Sequence, residues 1–326
     1  MATTALGVAS NKSIEVLRID EPFVIGVNAN IIGWFATAGQ ASLTYRGRLP
    51  FHGFASMFYV LLACFGCLSG VTAVLFGFGG GFVVVPLMYR MLTASHGVDD
   101  PIGQSAMHIA VATSTCVMVV NGLIATAKHH RAGNLLRRYL WPLAGYIGLG
   151  AVVGAVAAIW ASGEVIRYGF IVYLGITILD CLFRRGFLTH SDAVAPRPLG
   201  RAEVWGGGVV IGAIATFLGV GGSVMTVPLL RRRGLSMSQA TSMANPLSLP
   251  VAVAGTLTYM AMAGVTRDLG PWLVGYLDLQ AFAVLTIGSL VGIRFATPWI
   301  GRIPDRLHAW VYLGLLVVVM LGISVQ

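Results

Sequence analysis

The chain has 326 residues, of which 56% are hydrophobic and only 10% charged, with a formal net charge of +9 and a mean hydropathy of +0.81. A water-soluble domain of this length carries far more charge, so the composition excludes a soluble enzyme or scaffold and points to a polytopic membrane protein in a lipid bilayer. The positive balance does not signal nucleic acid, because the basic residues are scattered through short loops, where membrane topology accounts for them.

Residues 1–52 form an N-terminal segment. Residues 1–9 lack the basic start and apolar run of a secretory signal, so this end reads as retained. Residues 23–41 are moderately apolar but contain Asn28, Asn30 and Gln40, and either a membrane crossing or an interfacial stretch suits them. Beyond them, seven stretches have close to the roughly 20 apolar residues that cross about 30 Å of hydrocarbon: 53–76, 103–127, 141–161, 166–183, 239–263, 279–299 and 309–325. Inside lipid their backbone must be helical. The 42 glycines suit close helix packing. A connector at 184–203, marked by Pro196, Pro198 and Gly200, separates a first transmembrane repeat at 53–183 from a second at 204–326.

Each half contains the same glycine-proline signature. The first runs through Gly77, Gly79, Gly80, Gly81, Val85, Pro86 and Leu87, the second through Gly219, Gly221, Gly222, Ser223, Val227, Pro228 and Leu229. The helix after each motif is too short to cross alone. Lys128, Arg131, Arg137 and Arg138 form one basic cluster, Arg184, Arg185, Arg197 and Arg201 a second, Arg231 to Arg233 a third, and Arg302 with Arg306 a fourth. All four fall on the cytoplasmic side if each motif is the turn of a hairpin that enters and leaves by one face. Arg46, Arg48, Arg90, Arg167 and Arg267 are then the exceptions. The expected fold is therefore all-α, with two inverted structural repeats, each holding a broken or re-entrant half-helix and three further crossings.

Half-helix starts carry amides without intrahelical partners and a partial positive charge, so an anion is their natural ligand. Gly79, Gly80 and Gly81 with Gly221, Gly222 and Ser223 are the candidate contacts, and Pro86 and Pro228 break the helices beyond them. Tight packing is the bland alternative for one such motif. Two copies with a shared Val-Pro-Leu continuation favour a specific site. Downstream, Ala112-Thr113-Ser114 answers to Ala240-Thr241-Ser242, whose hydroxyls suit either capping or an oxyanion. Asn121 in the first half and Asn245 in the second complete the candidate polar set, while Pro246 and Pro250 break the second copy's helix and make the site asymmetric.

On these motifs, with His129-His130-Arg131-Ala-Gly133-Asn134, Leu249-Pro250 through Gly255-Thr256-Leu257, and Gly292-Ile-Arg294, the chain resembles the sulfite exporter TauE/SafE family over roughly residues 53–325. The resemblance implies transport of sulfite, a sulfonate or a related sulfur-containing or organic anion across the bacterial cytoplasmic membrane. Ser223 stands where a third glycine is usual, and the first half has an insertion around 96–103.

Other residues carry less. Cys64 and Cys67 share a helical face but read as packing residues, and no cysteine or histidine spacing suggests a metal or a cofactor. Asp180 is expected to pair with Arg184, and Arg294 is a possible anion contact near a helix end. His108 reads as structural, and His129 and His130 as part of a basic loop. No span has a carboxylate at its middle, and none offers a catalytic set, so an enzyme lacks support. The rival reading is a passive anion channel, which would need a continuous polar path. Whether the chain forms a homo-oligomer is left open.

Overall fold

The computed structural model describes residues 52–96, 100–183, 187–188, 197–261 and 272–324. The expectations for residues 23–41 and for Arg46, Arg48, Arg184, Arg185 and Arg267 lie outside them. In chain order come α1 (His52–Phe76), α2 (Gly81–Ser95), the single turn α3 (Pro101–Gln104), α4 (Ala106–Arg131), the single turn α5 (Arg137–Leu140), α6 (Leu143–Trp160) and α7 (Gly163–Phe183). A π-turn (Glu203–Gly207) then leads into α8 (Gly208–Phe217), α9 (Ser223–Arg232) and α10 (Met237–Ala261). Two short antiparallel strands, β1 (Leu273–Val274) and β2 (Leu277–Asp278), precede α11 (Leu279–Ala296) and α12 (Asp305–Ser324).

Among the described residues, six segments are long and apolar enough to cross a membrane: Tyr59–Phe76, Ala106–Arg131, Arg137–Trp160, Gly163–Phe183, Leu279–Trp299 and Asp305–Ser324. Large apolar side chains such as Leu149, Ile176, Phe295 and Val318 stand exposed on them, as a lipid-facing surface requires. The protein is thus an all-α, multi-pass membrane protein. The stretch expected to cross at 239–263 does form a helix of 25 residues, but α10 is not among the six. Its first half carries Thr241, Ser242, Asn245 and Ser248, all buried among other helices rather than facing lipid.

Glycines four residues apart set the closest helix contacts. A Cβ on Gly70 would stand 2.1 Å from the Ser289 carbonyl oxygen, and one on Gly292 2.0 Å from that of Cys67, so α1 and α11 touch backbone to backbone. Gly66 and Gly288 repeat the contact one turn away. Between α6 and α8 the same role falls to Gly150, Gly154, Gly208 and Gly212, the last with 1.9 Å to the Ile147 oxygen. In lipid, where burial of apolar area gives no drive for helices to associate, such close approach supplies the packing energy. The two pairings are reciprocal: α1 of the first half meets α11 of the second, and α8 of the second meets α6 of the first. At the centre α4 packs on α10, and α7 packs on α12.

The arginines at the end of α9, expected as a cytoplasmic cluster, are each held by a specific partner. Arg231 is buried, donating to the carbonyl oxygens of Phe187 at 3.0 Å and Leu235 at 3.2 Å and pairing with Asp305. Arg232 pairs with Asp180 of α7, and Arg233 with Glu203 of the π-turn. Asp180 thus has a distant partner in Arg232, and Arg184, the neighbour four residues on that was expected to pair with it, lies outside the described residues. Three successive side chains tie one helix end to three other elements.

The glycine contacts can be tested by size. Gly212→Leu should abolish monodisperse protein in detergent size-exclusion chromatography, whereas Gly175→Ala, which would meet nothing within 4 Å, should elute and melt like wild type. A well-folded Gly212→Leu protein would contradict the packing.

Candidate functional site

Two sharp turns interrupt the helices. The first uses Gly77, Gly79 and Gly80 at φ of 73°, 63° and 96°, the second Gly219 at 69°, a region that side-chain-bearing residues avoid. From the first turn α2 starts at Gly81, and from the second α9 starts at Ser223, and neither start has a side-chain cap. With 15 and 10 residues, these helices extend only about 22 and 15 Å. Pro86 and Pro228 lie inside them. By contrast α1, with 25 residues, is continuous and long enough to cross, whereas the segment before the second turn, Glu203–Phe217, is shorter.

The last carbonyls of α1 are also reassigned. The Phe78 amide donates to the Thr72 oxygen, and the Val74 and Leu75 oxygens meet Nε2 of His129 and of His308, each at 2.8 Å. Satisfying those orphaned acceptors lets the helix stop inside the protein. His129, expected in a basic loop, is instead buried at the end of α4. His108 has its Nε2 3.3 Å from the Ala158 oxygen.

The two turns meet. A Cβ on Gly81 would lie 3.0 Å from the Gly219 carbonyl oxygen and 3.6 Å from both Met118 Sδ and Ser114 Oγ. One on Gly221 would lie 3.0 Å from the same Met118 sulfur and 2.9 Å from Ser248 Oγ. Ser114 Oγ donates to the Gly219 oxygen at 3.1 Å, sharing its proton with that of Val111. The packing crosses between halves: Gly77 abuts Thr241 and Ala244 of α10, and Gly219 abuts Val111 of α4.

A chain of hydrogen bonds holds the first turn. Ser289 Oγ donates to Asn121 Oδ1 at 2.7 Å, Asn121 Nδ2 to Ser69 Oγ at 3.3 Å, and Ser69 Oγ to the Gly80 oxygen at 3.2 Å. At the second turn Tyr312 donates to the Ser223 oxygen at 3.3 Å. On and around it, Thr216 Oγ1, Ser223 Oγ, Thr226 Oγ1 and Ser248 Oγ are buried without a partner, as is Asn245 Oδ1 beside α1. Unmatched polar atoms are costly in such surroundings.

The structure thus brings together Gly79, Gly80, Gly81, Ser114, Asn121 and Gly221. Gly222 faces Ile211 instead. Thr113 Oγ1 accepts from the Asp278 amide, Thr241 Oγ1 donates to the Met237 oxygen and Ser242 Oγ to those of Asn134 and Gln239, so these three hold structure. Asn245 Nδ2 donates to the Ala73 oxygen at 3.0 Å, tying α10 to α1. Asp278 also caps α11 through the amides of Gln280 and Ala281, although burial raises its carboxyl above the usual range. Pro250 of α10 stands against Gly148 of α6. Arg294 is exposed on α11. Sequence reasoning missed Ser69, Met118, Ser248 and Ser289. The three serines could have been noticed as polar residues inside apolar stretches, while Met118 gives no signal.

A separate cavity of about 330 Å³ lies along α9, lined by residues of α7, the π-turn and α8, including Asp180 and Arg232, and by none of the first motif. All four cysteines are free, and among the described residues no group of His, Cys, Asp or Glu could hold a metal.

The relay gives a double-mutant test. Asn121→Ala and Ser289→Ala should each lower stability by about 1 kcal/mol in detergent thermal melts. The double variant should lose clearly less than the sum, and strict additivity would mean that the bond contributes nothing.

The chain matches the family described as Sulfite exporter TauE/SafE over residues 62–323, a span that includes both turns. A probable membrane transporter protein of Haemophilus influenzae is 26% identical over 76% of this chain and 92% of its own length. One from Methanocaldococcus jannaschii is 22% identical over 72% and 85% of the two chains, and the probable membrane transporter protein YunE of Bacillus subtilis 23% over 72% and 86%. No solved structure matches. With most of its length matched and relatives covered nearly end to end, the chain belongs to the sulfite exporter TauE/SafE family of membrane transporters.

Proposed function

We propose that the protein is a secondary transporter of a small anion, namely sulfite, a sulfonate or a related sulfur-containing or organic anion, bound where the two glycine turns meet. The observation that carries this reading is the approach of two uncapped helix starts to one buried point, with unpartnered hydroxyls beside it. An oxyanion is rich in acceptors and poor in donors. Amides of the first turns of α2 and α9, with Ser114 and Ser223, would replace the hydration it leaves in water.

The two halves, 53–183 and 204–326, are read as inverted repeats. Supporting this, α1 meets α11 as α8 meets α6, and each glycine turn packs on the other half's Ala-Thr-Ser helix, as a two-fold relation between halves requires. Alternating access then follows from one repeat rocking against the other around the shared site. Pro86 and Pro228 weaken α2 and α9 beyond the ligand, where the chain must yield.

Purified protein in proteoliposomes should take up labelled sulfite, with uptake stimulated by sulfite inside. Gly81→Leu and Gly221→Leu should each cut that uptake by at least about tenfold while remaining monodisperse, since each side chain would fill the space between the turns. Undiminished uptake by both variants would remove the site, and a conductance without trans-stimulation would make the protein a channel.

A further inference from the structure

One side chain touches glycines of both turns. Met118 is fully buried on α4, and its Cγ and Sδ lie 2.7 and 3.0 Å from where a Cβ on Gly79 would stand. The same sulfur is 3.6 Å from the equivalent point on Gly81 and 3.0 Å from that on Gly221. Ser114 and Asn121 lie on the same face of α4, one turn to either side. Both are fixed by hydrogen bonds, to the Gly219 oxygen and into the Ser69 relay. Between them the helix places an unbranched thioether with three rotatable bonds, the side chain best able to vacate a space and refill it.

What lies beside that sulfur is polar. Ser248 Oγ contacts the same point on Gly221, at 2.9 Å, and is buried with no partner. Ser223 Oγ, at the start of α9, is buried and unpartnered as well. A hydroxyl facing a thioether has no acceptor worth the name, and leaving it so costs about 1–3 kcal/mol. The arrangement makes sense if the thioether is a temporary occupant.

We propose that Met118 is the access and size filter of the anion site: its thioether fills the gap between the turns in the absence of ligand, and swings aside so that an oxyanion takes its place and accepts a hydrogen bond from Ser248. This rests on the anion-transport reading above. The gap then has the volume of a thioether tail, which admits a compact oxyanion such as sulfite and rejects sulfonates with longer chains.

The test is uptake of labelled sulfite, methanesulfonate and propanesulfonate by proteoliposomes holding wild type, Met118→Ala, Met118→Phe or Ser248→Ala. Met118→Ala should raise the propanesulfonate-to-sulfite rate ratio by about tenfold or more. Met118→Phe should lose uptake of all three, and Ser248→Ala should weaken sulfite half-saturation by about tenfold without changing the ratio. Should Met118→Ala fail to fold, Met118→Val shortens the same side chain and must show the same relaxation. A ratio unchanged in a folded, sulfite-transporting shortened variant overturns the filter and leaves the transport reading standing. Absence of any anion uptake by wild type overturns the transport reading itself.

Discussion

Two helix starts directed at one buried point are an electrostatic problem before they are a binding site. Each carries roughly half a positive charge and several free amides, and in surroundings of low dielectric the two repel each other. Their approach is stable because other dipoles intervene: the Gly219 oxygen points toward Gly81, Ser114 donates to that oxygen, and Ser69 holds the oxygen of Gly80. The residual positive potential is what an anion would answer.

Contacts elsewhere in the fold hold the helices that carry those turns. Backbone contacts at glycines four residues apart draw α1 to α11 and α6 to α8, leaving no room for a side chain at the crossing. The histidines at positions 129 and 308 accept the task of closing α1 where its ladder stops. At the opposite end of α9, arginines paired with Asp305, Asp180 and Glu203 anchor the helix to three elements. Breaking the Arg231 pair from one side would strand a buried charge, a far larger penalty than loss of a surface pair.

Much of this was legible in the chain. The glycines of the two motifs could be read because positive φ and close backbone approach both demand that residue, and their duplication marked two equivalent elements. Helix type followed from apolar length, and so did six of the seven expected crossings, α10 being the exception. Features that depend on which distant residues meet were not legible. Arg231, Arg232 and Arg233 look like a loop cluster in sequence because their partners lie 74, 52 and 30 residues away, separations no local pattern encodes. Thr113, Thr241 and Ser242 suited either capping or an oxyanion in sequence, and the backbone groups that engage them belong to β2 for Thr113, to its own helix for Thr241, and to the loop after α4 for Ser242. Ser248 and Met118 reach the site only because α4 and α10 cross beside it, which neither helix announces by itself.

The most direct test of the convergent site is an X-ray structure with selenite, the heavier relative of sulfite, read by anomalous scattering at the selenium edge. The account predicts one peak about 4 Å from the first-turn amides of both α2 and α9, with the selenite oxygens at hydrogen-bond distance from them and the Met118 side chain displaced from between them. A peak confined to the cavity between α7 and α9, or at Arg294, with Met118 still in place at saturating selenite, would contradict it.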